Sequence, residues 1–294
     1  MSHFLCMVVG GDVETQLAPY HQYECTGVCD EFVKHISVFE DVKHCYETDV
    51  EDGVPVKNNC SFTEFVTDNY ATKRIEKAAL KAVLASEKLF SYYVVDGNNE
   101  IIDVVRVTNP DFKWDWYVFG GRYSKVYIGR DGGSIVQGNK YSFDFDAVRE
   151  REVNSAAEKY DVVHDVVSGR TWESLTSIFD RICTDGNVTE GERWSLARNV
   201  YYNQGVIKDL NVLEVFMWHK NFDDFLVSRD SYIAMERKDA LTPYAFVKDG
   251  KWHEKGEFGY SRDLISEDDW ATQFNAMLDG LHDDTKLTVV DCHI

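Results

Sequence analysis

The sequence predicts an α+β fold, an antiparallel sheet or meander with packed helices and a largely helical second lobe. Three observations carry this. Short β-prone runs alternate apolar and polar residues in the first half, most clearly at 114–119. Turn-forming runs such as Asp96-Gly97-Asn98-Asn99 separate them. From Asp146 onward, apolar residues recur mostly at helical spacing. The expected division is an α+β lobe over residues 1–145 and a helix-rich lobe over residues 146–294, the latter closing with a hairpin, a helix and a strand.

Taken in order, residues 3–9 read as a strand ended by Gly10-Gly11, and 13–23 as a loop or short helix around Pro19. Residues 32–38 suit a strand and 39–48 a short helix. Ser61 with Glu64 three positions on is the capping-box pattern of a helix start. A longer helix is expected over 72–90, with Ile75, Ala79, Ala82, Val83 and Leu89 near one face. Residues 92–95 and 101–107 form a hairpin. The next stretch, NPDFKWDWYVFGGRY at 109–123, is the most unusual in the chain. Pro110 starts a turn, the alternation through Trp114, Trp116 and Val118 gives a strand, and Gly120-Gly121 permits a reversal. Tyr123, Val126, Tyr127 and Ile128 then supply a returning strand. Asp131-Gly132-Gly133 is a turn, and 141–145 adds a strand.

Asp146 is the expected cap of a helix running to about Val167, ended by Ser168-Gly169. Helical stripes follow at Trp172, Leu175, Ile178 and Phe179, then at Trp194, Leu196, Val200 and Tyr201, then at Leu213, Phe216 and Met217. Thr242-Pro243 ends this region. Residues 244–254 read as a hairpin around Lys248-Asp249-Gly250, Ser266 caps a last helix, and 286–294 is a strand that can pair with the first.

The chain has 294 residues, 44% of them hydrophobic, so a substantial core is available. Its formal net charge of −20 repels nucleic acid and anionic membranes, which argues against direct nucleic-acid binding and favours solubility or a partner with a basic surface. No run is long and apolar enough for a membrane span, and the first ten residues lack a basic start and a cleavage site, so a cytoplasmic location is expected. The 7 cysteines form no CxxC pair. Cys25, Cys29, Cys45 and Cys60, with His35 and His44 nearby, are too irregular for a zinc site, and no metal or cofactor is expected.

The candidate chemistry is sparse. No GxSxG, Walker loop, GxGxxG or HExxH pattern occurs, so the expectation is that the chain is not an enzyme. If the terminal strands pair, His3, Asp291 and His293 converge, a combination that suits a general base or a metal; frayed chain ends are the competing reading. The aromatic stretch has two readings as well. Its rings fill a core, with Asp115 paired to Lys113 or Arg122. Alternatively Trp114, Asp115, Trp116, Tyr117, Arg122 and Tyr123 form a partner-binding surface, since Trp, Tyr and Arg dominate binding hot spots.

The opening Met1-Ser2-His3-Phe4, the segment Gln16-Leu17-Ala18-Pro19-Tyr20, the Lys113-Trp114-Asp115-Trp116-Tyr117 and Gly120-Gly121-Arg122 core, the hairpin at 241–254 and the ending Leu287-Thr288-Val289-Val290-Asp291-Cys292-His293-Ile294 together resemble a family of phage and prophage proteins. Tyr123 stands where that family has Trp. Within that group the chain is similar to the anti-defence proteins directed against the bacterial Gabija system. This resemblance implies a phage-encoded inhibitor acting in the cytoplasm of the infected host. It implies a homo-oligomer that binds the Gabija ATPase-nuclease complex, with its helicase-like subunit, and blocks DNA engagement or cleavage. The alternative is a binder or hydrolase of a nucleotide immune signal, with Trp114 and Trp116 stacking on a base and Arg122 holding a phosphate.

Overall fold

The structure, a computed structural model, describes residues 2–22, 30–51, 54–71, 73–182, 189–213, 222–257, 262–263 and 265–294. It is α+β. Two compact units divide the chain, and neither is contiguous. The first comprises Met1–Tyr123, Ala245–His253 and Lys286–Ile294; the second comprises Ser124–Tyr244 and Glu254–Thr285.

The first unit is built around the strand His3–Val9. Its run Phe-Leu-Cys-Met-Val-Val is apolar at every position, the pattern of a strand covered on both faces. It lies between two neighbours, Ala245–Lys248 in parallel and Lys286–His293 in antiparallel register. Lys251–Glu254 extends the sheet at one end and Trp116–Phe119, antiparallel to Lys286–His293, at the other. The hairpin between 245 and 254 turns at Asp249 (φ 53°) and Gly250 (φ 71°), two positive-φ residues as a primed turn requires.

The Gln16 to Tyr20 segment ties the first strand to that hairpin. Asp12 caps the short helix Val13–Leu17. The Gln16 amide donates to the carbonyls of Val9 and Gly10 and accepts from the Gly250 amide. The Tyr20 hydroxyl donates to the Gly250 carbonyl and accepts from the Trp252 amide.

A second sheet in this unit runs in the order Lys34–Ser37, Ile101–Thr108, Ser91–Val95, Arg74–Glu76. Alternate residues of Ser91–Val95 feed two cores. Tyr93 and Val95 join Val42, Phe65 and Val66 from the helices Phe39–Thr48 and Phe62–Asn69. Tyr92 and Val94 join Ile75, Val105 and Val107 on the other face. The expected capping box is present: Ser61 Oγ accepts from the Glu64 amide, and the Glu64 carboxylate accepts from the Ser61 amide.

The second unit is mainly helical. Asp144, two residues before the expected cap, accepts from the Ala147 amide and starts the helix Phe145–Val167, which ends at Ser168 in the left-handed region. Leu175–Ile182, Glu190–Asn203, Gly205–Asn211 and Arg229–Asp239 follow. Val163, Ile178, Ala197, Tyr201, Ile207, Leu210 and Phe222 form the buried centre. The Tyr201 hydroxyl accepts from the Phe222 amide there, and the Trp270 indole, on the last helix Glu267–Asp279, donates to the Pro243 carbonyl.

Four expectations need correction. The helix over 72–90 shrinks to Leu80–Ser86, because Arg74–Glu76 is a strand parallel to Ser91–Val95 with Ile75 buried beneath it. Residues 141–145 form no strand: Lys140–Ser142 is a 3-10 turn and the helix starts at Phe145. No returning strand follows Gly121; the backbone enters a 3-10 turn at Gly121–Tyr123. The sheets are mixed rather than an antiparallel meander: His3–Val9 runs parallel to Ala245–Lys248 and Arg74–Glu76 parallel to Ser91–Val95, and Trp116–Phe119 finds its partner in the last strand of the chain. Cys25, Cys29, Cys183, Phe216 and Met217 lie outside the described residues. Among the described residues no helix is long and apolar enough to cross a membrane, and no group of three His, Cys, Asp or Glu is placed to hold a metal ion.

The sheet order makes a contrast measurable. Met7, fully buried opposite Val289, and Val118, on the last strand of the sheet and 44% exposed, differ in cost when truncated. Met7→Ala is expected to lose about 2–5 kcal/mol in urea unfolding and Val118→Ala less than about 1 kcal/mol. Equal losses would contradict the sheet order.

Candidate functional site

The antiparallel register of the terminal strands sets His3 directly opposite His293, and the next strand sets Trp116 opposite His293 and Val118 opposite Asp291. Residues opposite one another share a face of the sheet. Residues 3, 116, 291 and 293 therefore meet on one face, near the end of the strands where the chain begins. Asp291 is 2% exposed and His293 4% exposed.

Two imidazole-carboxylate pairs result. His3 Nδ1 lies 2.8 Å from Asp291 Oδ1, and His293 Nδ1 lies 2.7 Å from Asp115 Oδ1. An ionised carboxylate only accepts, so each imidazole carries its proton on Nδ1 toward its partner. In both rings Nε2 is then the nitrogen left for other chemistry. The ring centroids of His3 and His293 are 5.0 Å apart and steeply inclined. Trp116 stacks on His293 at 4.9 Å with an interplanar angle of 15°, and meets His3 edge-on.

The surrounding backbone fixes these groups. Asp291 Oδ2 accepts from the Arg122 amide at 2.9 Å. That contact requires the glycine turn: Gly120 and Gly121 both have positive φ, and a Cβ on Gly121 would stand 2.3 Å from Asp291 Oδ2. The Tyr123 hydroxyl donates to the His3 carbonyl. Asp115 Oδ1 also accepts from the Trp116 amide, while the Asp115 amide donates to the His293 carbonyl. Behind it, Trp114 donates from its indole to the Leu17 carbonyl, and the His21 ring, stacked obliquely on Trp114, donates to the Asp115 carbonyl. Asn109, itself buried, donates to the carbonyls of Pro19 and His21.

One polar atom here has no partner. Among the described residues, His293 Nε2 is the buried side-chain nitrogen or oxygen that makes no hydrogen bond. Leaving such a group unsatisfied costs about 1–3 kcal/mol, and in native proteins it calls for an explanation such as a ligand or a catalytic role. The Arg122 side chain is exposed and forms no ion pair among the described residues, although the chain carries an excess of 20 negative charges.

The residues singled out in the sequence thus separate. Trp114 is buried at 7% exposure and acts as a structural post, which corrects its placement on a binding surface. Asp115 pairs with His293, not with Lys113 or Arg122. Trp116 and Arg122 are exposed, and Tyr117 and Tyr123 are partly buried. Burial raises the pKa of both tyrosines. His282, Asp283 and Asp284 are exposed, and His282 lies within ion-pair distance of Asp284. The link between Asp115 and His293 was missed in the sequence because it joins residues 178 positions apart. No protein-family model, no curated protein and no solved structure matches this chain.

The close approach at the turn gives a direct check. Gly121→Ala combines an unfavourable φ with an overlap on Asp291, and should cost about 2–4 kcal/mol in denaturant unfolding. A neutral Gly121→Ala would mean that the turn does not rest on Asp291.

Proposed function

We propose that this chain binds a small anionic ligand with a flat ring, of the nucleotide class, at the His3–Asp291 and His293–Asp115 cluster. The observation that carries this reading is the buried, unpartnered His293 Nε2 beneath an exposed tryptophan. Trp116 offers a stacking face for a base, and such stacking tolerates many ring systems. Arg122, exposed and without an ion-pair partner among the described residues, offers a planar fork suited to phosphate oxygens. Ordered imidazoles with fixed tautomers supply directional hydrogen bonds to the same ligand.

A calorimetric titration with a panel of mono-, di- and cyclic nucleotides tests the reading. Trp116→Ala is expected to weaken binding about 5–100-fold, the range of one stacked base. Arg122→Gln should weaken phosphate-bearing ligands and leave the free nucleosides unaffected. Absence of heat across the panel would overturn the proposal.

A second reading rests on a different observation. Trp116, Val118 and Phe119 are all exposed on a four-residue strand without charge or proline at the end of the sheet order. Such an edge is a template for a partner chain. Combined with the charge of −20, it supports the proposal of an inhibitor of the bacterial Gabija ATPase-nuclease complex, acting as a homo-oligomer in the infected cell. Co-expression with that complex and sizing of the purified material should then yield one stoichiometric assembly, disrupted by Val118→Glu. Separate elution of the two proteins would remove this reading.

A further inference from the structure

We infer that the site is an acid-base centre for hydrolysis of a phosphate ester or anhydride, with His3 as the base and His293 as the acid. This rests on the nucleotide-binding reading above and adds a reaction to it. The two imidazoles have the same arrangement: Nδ1 is committed to a carboxylate, and Nε2 is free of protein partners among the hydrogen bonds of the described residues. That is how a carboxylate orients an imidazole for proton transfer through its second nitrogen. The centroid separation of 5.0 Å places the two rings on the scale of a single phosphoryl group. His293 Nε2 is covered by protein, and the Trp116 indole stacked on that ring is the exposed member of the pair.

The step balances without a further reactant. His3 Nε2 takes a proton from water as the water oxygen bonds to phosphorus. The bond from phosphorus to the leaving oxygen breaks, and that oxygen takes the proton of protonated His293 Nε2. His3 ends protonated and His293 neutral, and exchange with solvent restores both. Arg122 offsets charge on the non-bridging oxygens. Asp291 and Asp115 hold the rings and are positioning residues.

The test uses the whole chain with bis(p-nitrophenyl) phosphate and with the nucleotide panel, in EDTA, following nitrophenolate by absorbance and nucleotide products by chromatography. The native chain should turn over at least one of these phosphates. His3→Gln and His293→Gln should each lower kcat for the nucleotide substrate by about 100-fold or more, the scale of one acid or base. Because turnover by the native chain is itself the first readout, the outcome does not depend on the variants folding. Nucleotide binding without turnover would overturn this inference and leave the binding reading intact. Turnover that survives both substitutions, or that EDTA abolishes, would also overturn it. Neither binding nor turnover would overturn both.

Discussion

The pairing of the first and last strands in a single register is the constraint on which the rest of this structure depends. His3 opposite His293 and Met7 opposite Val289 follow from the same ladder. Side chains alternate between faces along a strand, so a slip of one residue would exchange Asp291 and His293 with Val290 and Cys292. The second face carries Cys6 and Cys292, both fully buried; a hydrogen bond between them, aided by burial, keeps the Cys292 thiol protonated. Apolar packing on that face and carboxylate-imidazole pairing on the other thus demand the same alignment. The termini, which fray in many proteins, are here the centre of a sheet.

Electrostatics then decides what the site can do. Burying Asp291 is tolerable because both its oxygens accept hydrogen bonds, one from His3 and one from the Arg122 amide. Asp115, partly exposed, accepts from His293 and the Trp116 amide through one oxygen, Oδ1. The acidic partners are therefore satisfied, whereas His293 Nε2 is not. A purely structural cluster would gain by closing that last bond. The glycine pair at 120–121 adds to the same picture, since it brings backbone against Asp291 at a distance that no side chain at position 121 would allow.

Much of this was legible in the sequence, for local reasons. The helix Phe39–Thr48 stands where a short helix is expected, and the Ser61-Glu64 box and the Asp249-Gly250 turn follow from side-chain and backbone chemistry within four residues. The convergence of His3, Asp291 and His293 was conditional on strand pairing, and that condition is met. What escaped reading depends on distant partners. The run at 74–76 looks helical by spacing, yet it pairs with Ser91–Val95. Gly120-Gly121 signalled a reversal, but not that the strand before it would join residues 290–293. Trp114 and Trp116 look equivalent in sequence; the first is anchored under Leu17 and the second faces outward, which periodicity alone cannot assign, since both fall on the same parity.

The most direct test of this account is a long-range proton-nitrogen correlation spectrum of the imidazoles, with His3 and His293 assigned by substitution. The account predicts that both rings carry their proton on Nδ1 in the neutral state, and that Nε2 of His293 shifts when a nucleotide is added to saturation. Protonation at Nε2 in the neutral rings, or a His293 signal indifferent to every nucleotide, would contradict it.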